Sequence, residues 1–173
     1  MKTFRDGVME TIEYWTTQME MDRVKNVLEI GIAGDPKPGG NFYLFKDKNY
    51  KTLDIDVRYE ADYTDDIQNI KNVPLGYWDV VILSQVIEHL TEPIDAILNS
   101  FLLLKPKGYL IVDCPWMLPY HPDDGFDDYW RISASGLEYL LKAKDWEIIG
   151  IKQTEQLSSA LVRKNENNLI LSS

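Results

Sequence analysis

A chain of 173 residues with a formal net charge of −10 holds 28 Asp and Glu against 18 Lys and Arg. That balance, with no Lys/Arg cluster, argues against a phosphate-binding nucleic-acid surface and an anionic membrane face, and leaves solubility as the plain meaning of the charge. One cysteine, Cys114, leaves no internal disulfide or multi-cysteine metal site, the start MKTFRDGVME lacks a signal peptide's apolar core, and no apolar run reaches membrane-spanning length, so a cytoplasmic protein is expected.

The pattern opens with Phe4, Val8, Met9, Ile12, Trp15 and Met19 at helical spacing, which predicts an amphipathic helix over 4–20 that packs on the core, caps the sheet or covers a site. A strand over Asn26–Ile30 follows and runs into VLEIGIAGD, where Gly31 and Gly34 stand three residues apart. Glycine suits a turn in which backbone passes close to a ligand, because it accepts positive φ and presents no side chain. In an open α/β sheet the carboxyl end of the first strand is a ligand position, although the same fragment also fits an ordinary strand-to-helix turn. Asp35-Pro36-Lys37-Pro38-Gly39-Gly40 reads as a loop, with a short helix expected over about Asn41–Asp47.

A second strand over about Tyr50–Ile55 brings Asp54 and Asp56, roughly twenty residues past the turn, to its end. A carboxylate there can accept from two ribose hydroxyls at once, or simply be solvated. ADYTDDI, residues 61–67, reads as a short edge strand followed by Asp65, Asp66 and Ile67, an acid beside an aliphatic group that can clamp an adenine. Trp78–Leu83 is a continuous, β-branched run suited to a central parallel strand, leading into Ser84-Gln85-Val86-Ile87-Glu88-His89-Leu90. Thr91 is placed to cap the next helix with Pro93 in its first turn and Ile94, Ile97, Leu98 and Phe101 inward, and Lys105-Pro106-Lys107-Gly108 to end it.

Tyr109–Asp113 reads as a fifth strand, and a long aromatic, acidic stretch follows it over Cys114–Ile132. Ser135-Gly136-Leu137-Glu138 reads as a capping box for a further helix; Glu147–Lys152 and Leu157–Arg163 read as an antiparallel hairpin at one edge. No linker or repeat divides the chain, so one domain is expected over 1–173, with 1–22 its N-terminal helix and 164–173 a polar tail. Alternating strands and helices that close on a hairpin predict an α/β, three-layer, Rossmann-like sandwich around a seven-stranded, mostly parallel sheet.

These motifs in this order resemble the class I S-adenosylmethionine-dependent methyltransferases of the small-molecule type, over about Val27–Arg163. LEIGIAG, Asp54 at the second strand's end, WDVVILSQVIEHLTEP and LLLKPKGYLIV carry the likeness. The resemblance implies S-adenosylmethionine as cofactor. Glu29 would orient the first loop or the cofactor's amino group, Gly31 and Gly34 would admit its methionine part, Asp54 would hold the ribose, Asp66 and Ile67 the adenine, and Ser84 and Gln85 would flank the amino-acid end. The chain departs from the family in its G-x-x-G spacing, with Ala33 where a glycine often sits, and in Pro36 and Pro38 where a helix would start.

Methyl transfer from a sulfonium is an in-line displacement, so the protein has chiefly to align acceptor and methyl and to take a proton from a hydroxyl or amine. The acceptor side is expected from Glu88-His89 and the loop around His121, which also holds Tyr120, Asp124, Asp128, Tyr129 and Arg131. His121, oriented by a carboxylate, is the candidate base or else shapes the loop. His89 reads as structural, bonding a backbone carbonyl or capping the helix. Tyr129-Trp130-Arg131 resembles a D-Y-W-R segment of relatives that act on sugar or lipid-linked intermediates; Arg131 either binds an acceptor carboxylate or phosphate or pairs with a loop aspartate.

Asp113-Cys114-Pro115-Trp116 looks like the D-P-P-W motif of nucleic-acid amino-methylating enzymes but follows the fifth strand instead of the fourth. His121, Asp123, Asp124, Asp127 and Asp128 could hold a divalent cation, yet a solvated acidic loop is the commoner meaning, and no metal is expected. The expected partner is a small-molecule acceptor, an oxygen or nitrogen on a sugar-like or other biosynthetic intermediate, with no nucleic acid and no membrane. Self-association through the N-terminal helix would complete an open site. Two rivals stand: a nicotinamide-dependent oxidoreductase, disfavoured by the missing third glycine and the closing hairpin, and a module that binds the nucleoside without turnover.

Overall fold

The computed structural model describes residues 3–32, 40–122 and 125–166. Its centre is β1 (Asn26–Ile30) beside β4 (Trp78–Ser84), joined in parallel register from Val27↔Val80 to Ile30↔Leu83. Successive side chains of a strand point to opposite faces, so a strand buried on both faces must be apolar at every position. Along β4, Val80 and Ile82 enter one hydrophobic cluster and Val81 and Leu83 the other, all fully buried.

The seven strands are ordered β3-β2-β1-β4-β5-β7-β6. β2 (Asn49–Asp54) pairs in parallel with β1, and β3 (Tyr63–Thr64) is a two-residue parallel edge strand on β2. β5 (Leu104–Pro115) lies parallel to β4. The hairpin of β6 (Trp146–Gln153) and β7 (Leu157–Lys164) is antiparallel, with β7 inserted between β5 and β6. The carboxyl ends of β2, β1, β4 and β5 therefore meet along one rim of the sheet, where Asp54, Gly31, Ser84 and Asp113 follow one another across it.

Helices cover both faces thinly. α1 (Phe4–Thr16) begins in a capping box, Thr3 Oγ1 accepting from Asp6 N and Asp6 Oδ2 from Thr3 N. Its Ile12 and Trp15 pack on Val27, Val80, Ile82, Ile111 and Leu161, and Trp15 Nε1 donates to Ser159 Oγ on β7 at 3.1 Å. α2 (Pro93–Leu103) and α3 (Ala134–Leu141) cover the opposite face through Ile97, Phe101, Leu137 and Leu141. Lys164, at the end of β7, donates from Nζ to the carbonyls of Phe101 and Leu104 at the end of α2, a cation at the negative end of the helix. Among the described residues, no helix is long and apolar enough to cross a membrane.

Several boundaries differ from the sequence expectation. The first helix ends at Thr16, where the Thr16 and Thr17 hydroxyls donate back to the Glu13 and Tyr14 carbonyls; Met19 is still buried, followed by a 3-10 turn over Met21–Arg23. The helix expected over Asn41–Asp47 is only a 3-10 turn at Phe42–Leu44. Thr91 does not cap α2: its hydroxyl donates to Gln68 Oε1, and Glu92 is the N-cap residue without a side-chain cap. The box at Ser135 is displaced, since Ser133 caps α3 by accepting from Gly136 N. Lys105–Gly108 lie inside β5, where a register shift opposite Trp78–Val80 and Lys107 at φ 66 absorb them.

Candidate functional site

The strand β1 leaves the sheet through Gly31 at φ 75, a left-handed conformation that costs a side-chain-bearing residue about 1–2 kcal/mol. A Cβ on Gly31 would also stand 2.3 Å from Val86 Cγ2, so the turn after β1 and the segment after β4 touch at a point that only glycine fits. Gly31 N donates to Leu53 O at 2.9 Å, and Ile32 N to the Asp54 carboxylate at 2.8 Å. Asp54 thus extends the β1–β2 ladder with its side chain. Its other oxygen accepts from Asp56 N at 2.9 Å, and burial raises its pKa. Each carboxylate oxygen can accept about two hydrogen bonds. Asp54 is only 5% exposed, so its carboxylate first of all fixes the turn after β1 at the rim.

Glu29 is buried and receives Asn41 Nδ2 at 2.5 Å on one oxygen and the Tyr50 hydroxyl on the other. It therefore fastens β1 to the residues just beyond the loop. Gly34, with Ala33, Pro36 and Pro38, lies outside the described residues.

Beyond β3, Asp65 accepts from the amides of Asp66, Lys71 and Asn72 and shapes the turn, while Asp66 Oδ1 accepts from Gln68 N at 2.8 Å. Ile67 is only 4% exposed and packs in the core. Little of its side chain is left to cover a ring, so the expected aliphatic clamp is weak at that position. Ser84 and Gln85 end β4 with their polar groups turned to Asp113: Ser84 Oγ, Gln85 N and Gln85 Nε2 all donate to Asp113 Oδ1, and Gln85 sits at φ 56. Asp113 is fully buried, its Oδ2 has no partner, and burial lifts its pKa to about 6.

The described parts of the segment after β5, residues 116–122 and 125–131, form a lid over this rim. Its ends are tied to the body: Trp116 N donates to Gln156 O, Tyr129 N and Trp130 N to Glu88 O, and Trp130 Nε1 to Leu90 O. Its tip reaches the far side, since a Cβ on Gly125 would lie 3.1 Å from Arg58 Nη2, just after β2. The lid therefore spans the sheet rim from β5 to the loop after β2. Arg131 holds it together. Nε donates to Leu118 O, Nη1 to Asp128 Oδ1 and Trp130 O, and Nη2 to Pro119 O and Asp128 Oδ2. All five guanidinium donors are engaged by the protein, so the aspartate-pairing alternative is the one formed, and Arg131 has no donor left for an acceptor anion. The Asp128 side chain is fully buried, and the Arg131 guanidinium lowers its pKa to about 2.

His121 belongs to the same lid. Asp128 Oδ2 accepts from its backbone N at 2.7 Å and lies 3.2 Å from its Nδ1, and Pro119 O lies 3.1 Å from Nδ1. Arg131 Nη2 also lies 3.1 Å from Nδ1, so one guanidinium donor and two acceptors meet at that nitrogen and hold the ring in place. His89 Nδ1 donates to Asp127 O at 2.6 Å, and its ring packs on Phe126 and, edge-on at 5.3 Å, on His121; burial lowers its pKa. Tyr129 is half exposed, with its hydroxyl donating to Asp127 at 3.0 Å.

Of the acidic residues that could hold a cation in this loop, Asp127 accepts from Tyr129 and Asp128 from Arg131, while Asp123 and Asp124 lie outside the described residues. The sequence reading also missed Glu88 as a group of interest by itself. It is fully buried, both carboxylate oxygens lack a hydrogen-bond partner, and burial raises its pKa well above the usual range. Its position directly after the fourth strand was the available signal.

The comparisons fit this architecture. The chain resembles in fold the N-methyltransferase NodS of Bradyrhizobium japonicum WM9 in complex with S-adenosyl-L-homocysteine (TM-score 0.59, 19% identity, 92% of this chain and 86% of that one). It is similar to the 1,6-didemethyltoxoflavin-N1-methyltransferase of Burkholderia thailandensis (TM-score 0.62, 12% identity, 94% and 85%). It is also similar to the [4+2]-cyclase SpnF (TM-score 0.66, 15% identity, 90% and 80%), so this fold alone does not fix a reaction. No curated protein matches the chain by sequence. A methyltransferase-domain family matches residues 9–152, and with the strand order and rim described above the chain belongs to that family, as a class I methyltransferase.

Proposed function

We propose that this protein transfers a methyl group from S-adenosylmethionine to an oxygen or nitrogen of a small acceptor, a sugar-like or other biosynthetic intermediate, beneath the lid at the carboxyl rim of the sheet. The observation that carries the reading is Asp54. Its carboxylate closes the β1–β2 ladder beside the Gly31 turn, at the strand end where a carboxylate can accept from ribose hydroxyls.

Bound there, S-adenosylmethionine supplies a methyl group already activated by a positively charged sulfur. Asp54 binds the ribose. Asp66, whose Oδ1 also holds Gln68 N, receives the adenine amine, and Gly31 lets the amino-acid arm lie against backbone. Ser84 and Gln85, braced by Asp113, flank that arm. His121, held in the lid by Asp128 and Pro119, is the group able to accept the acceptor's proton. Arg131 and Tyr129 position the lid and do not take part in the chemistry.

Titration with S-adenosylhomocysteine, followed by formation of that product from S-adenosylmethionine with a panel of hydroxylated and amino acceptors, tests the reading. One bound equivalent and acceptor-dependent turnover are expected. Absence of heat on titration with either compound overturns it.

A further inference from the structure

We infer that Glu88, His89 and His121 form a divalent transition-metal site on the acceptor side of the rim. One ligand atom of each lies within 4.8 Å of the others. Glu88 supplies the strongest reason. Its side chain is fully buried with neither oxygen hydrogen-bonded, and a buried polar group without a partner costs about 1–3 kcal/mol, more when charged. The nearest polar atom of the three-residue group is His89 Nε2, 3.7 Å from Glu88 Oε1. That is too long for a hydrogen bond but close to the roughly 3–3.5 Å separating two donors that share one ion at about 2.1 Å each.

The histidines are prepared in the manner of metal ligands. A ligating imidazole ordinarily donates its other ring N–H to a backbone carbonyl or carboxylate, which fixes the tautomer and the ring plane. His89 Nδ1 donates to Asp127 O, and His121 Nδ1 faces the carboxylate of Asp128 and the carbonyl of Pro119. His89 Nε2 is thereby left unprotonated and facing Glu88, and His121 brings a ring nitrogen within reach of both. Two imidazoles and one carboxylate suit Mn²⁺, Fe²⁺ or Zn²⁺ better than Mg²⁺ or Ca²⁺, which take mostly oxygen.

The ligands come from two parts of the chain. Glu88 and His89 stand in the 3-10 turn after β4, and His121 is carried by the lid. An ion here joins lid to body, and lid-borne His121 draws in as the ion binds. Positions the protein leaves open take oxygen or nitrogen atoms of the acceptor; this last consequence rests on the methyl-transfer reading, whereas the metal site does not. With the ion bound His121 is a ligand, and the base role proposed above belongs to the metal-free form.

The test is calorimetric titration of chelator-treated protein with MnCl2 and with ZnCl2, without any nucleoside, together with hydrogen exchange of residues 116–131. One equivalent binding at micromolar Kd or tighter is expected, with at least tenfold slower exchange in the lid. Glu88→Gln keeps the shape of the side chain, and His121→Ala removes a ligand on the lid without touching the core; each should weaken binding at least tenfold. Thermal melting checks that both remain folded, and if Glu88→Gln does not fold, His121→Ala alone decides. No binding by the wild type, or equal affinity in the His121→Ala variant, overturns the site. A parallel S-adenosylhomocysteine titration keeps the two readings apart: nucleoside binding without metal binding overturns this site alone, and metal binding without nucleoside binding overturns only the methyl-transfer reading.

Discussion

Gly31 and Val86 meet so closely that a single methyl group on the glycine would lie 2.3 Å from a Val86 methyl. The first strand's exit and the segment after the fourth strand are thereby fixed against each other. Gly31→Ala should lower stability by about 2–4 kcal/mol, combining left-handed strain with overpacking. Urea denaturation measures it. In Gly31→Ala/Val86→Ala the steric part should be recovered and the φ part, about 1–2 kcal/mol, should remain. A double variant no more stable than the single would mean that the clash is not the cause.

Asp54 receives Ile32 N and Asp56 N, and on the proposed reading two ribose hydroxyls as well. Asp54→Ala removes a charged acceptor and should weaken S-adenosylhomocysteine binding at least tenfold by calorimetry. Asp54→Asn, which keeps one acceptor oxygen, should fall between. Unchanged affinity in the alanine variant would exclude a ribose role.

Asp113 titrates in an accessible range. Burial raises its folded pKa to about 6, above the ordinary aspartate value of about 3.9. The folded state therefore holds a proton that the unfolded state has already lost between those values. Stability from this group is greatest below about pH 4, declines as pH rises to about 6, and is flat above, a difference on the order of 3 kcal/mol. Melting curves from pH 4 to 7 should show this decline superimposed on other titrations, and Asp113→Asn should have a flatter profile. Parallel profiles for the two proteins would remove Asp113 as the origin.

Arg131 connects Leu118, Pro119, Asp128 and Trp130 and is the main tie within the lid. Lysine offers one point charge in place of a planar fork, so Arg131→Lys should open the lid locally. Hydrogen exchange over residues 116–131 should accelerate at least tenfold, with little change in β4 and β5. Arg131→Ala should be worse, because the buried Asp128 carboxylate loses its counter-charge at a cost of about 3–5 kcal/mol. Wild-type exchange in Arg131→Lys would show that the lid is held by its ends alone.

The strands could be placed from sequence because their burial is written in residue type. Val80-Val81-Ile82-Leu83 is apolar at every position, as a strand covered on both faces must be, and the Gly31 turn and Asp54 sit at strand ends that apolar runs define. The bounds of β1 agree to the residue, whereas helix ends and caps moved, since Thr91, Ser133 and Ser135 all offer a hydroxyl and only the packed backbone selects which one finds an amide.

What the sequence determined by itself is the sheet, its order of motifs and the rim at which they gather. The tertiary structure alone decided the lid's chemistry. Arg131 and Asp128 are three residues apart and carried no sign of which alternative held until the fold closed five donors onto protein acceptors. Glu88 and His121 are distant along the chain, and neither announces a shared ion. Periodicity reports which face of an element is buried; convergence of polar groups from separate loops depends on distances through space, which no local pattern encodes.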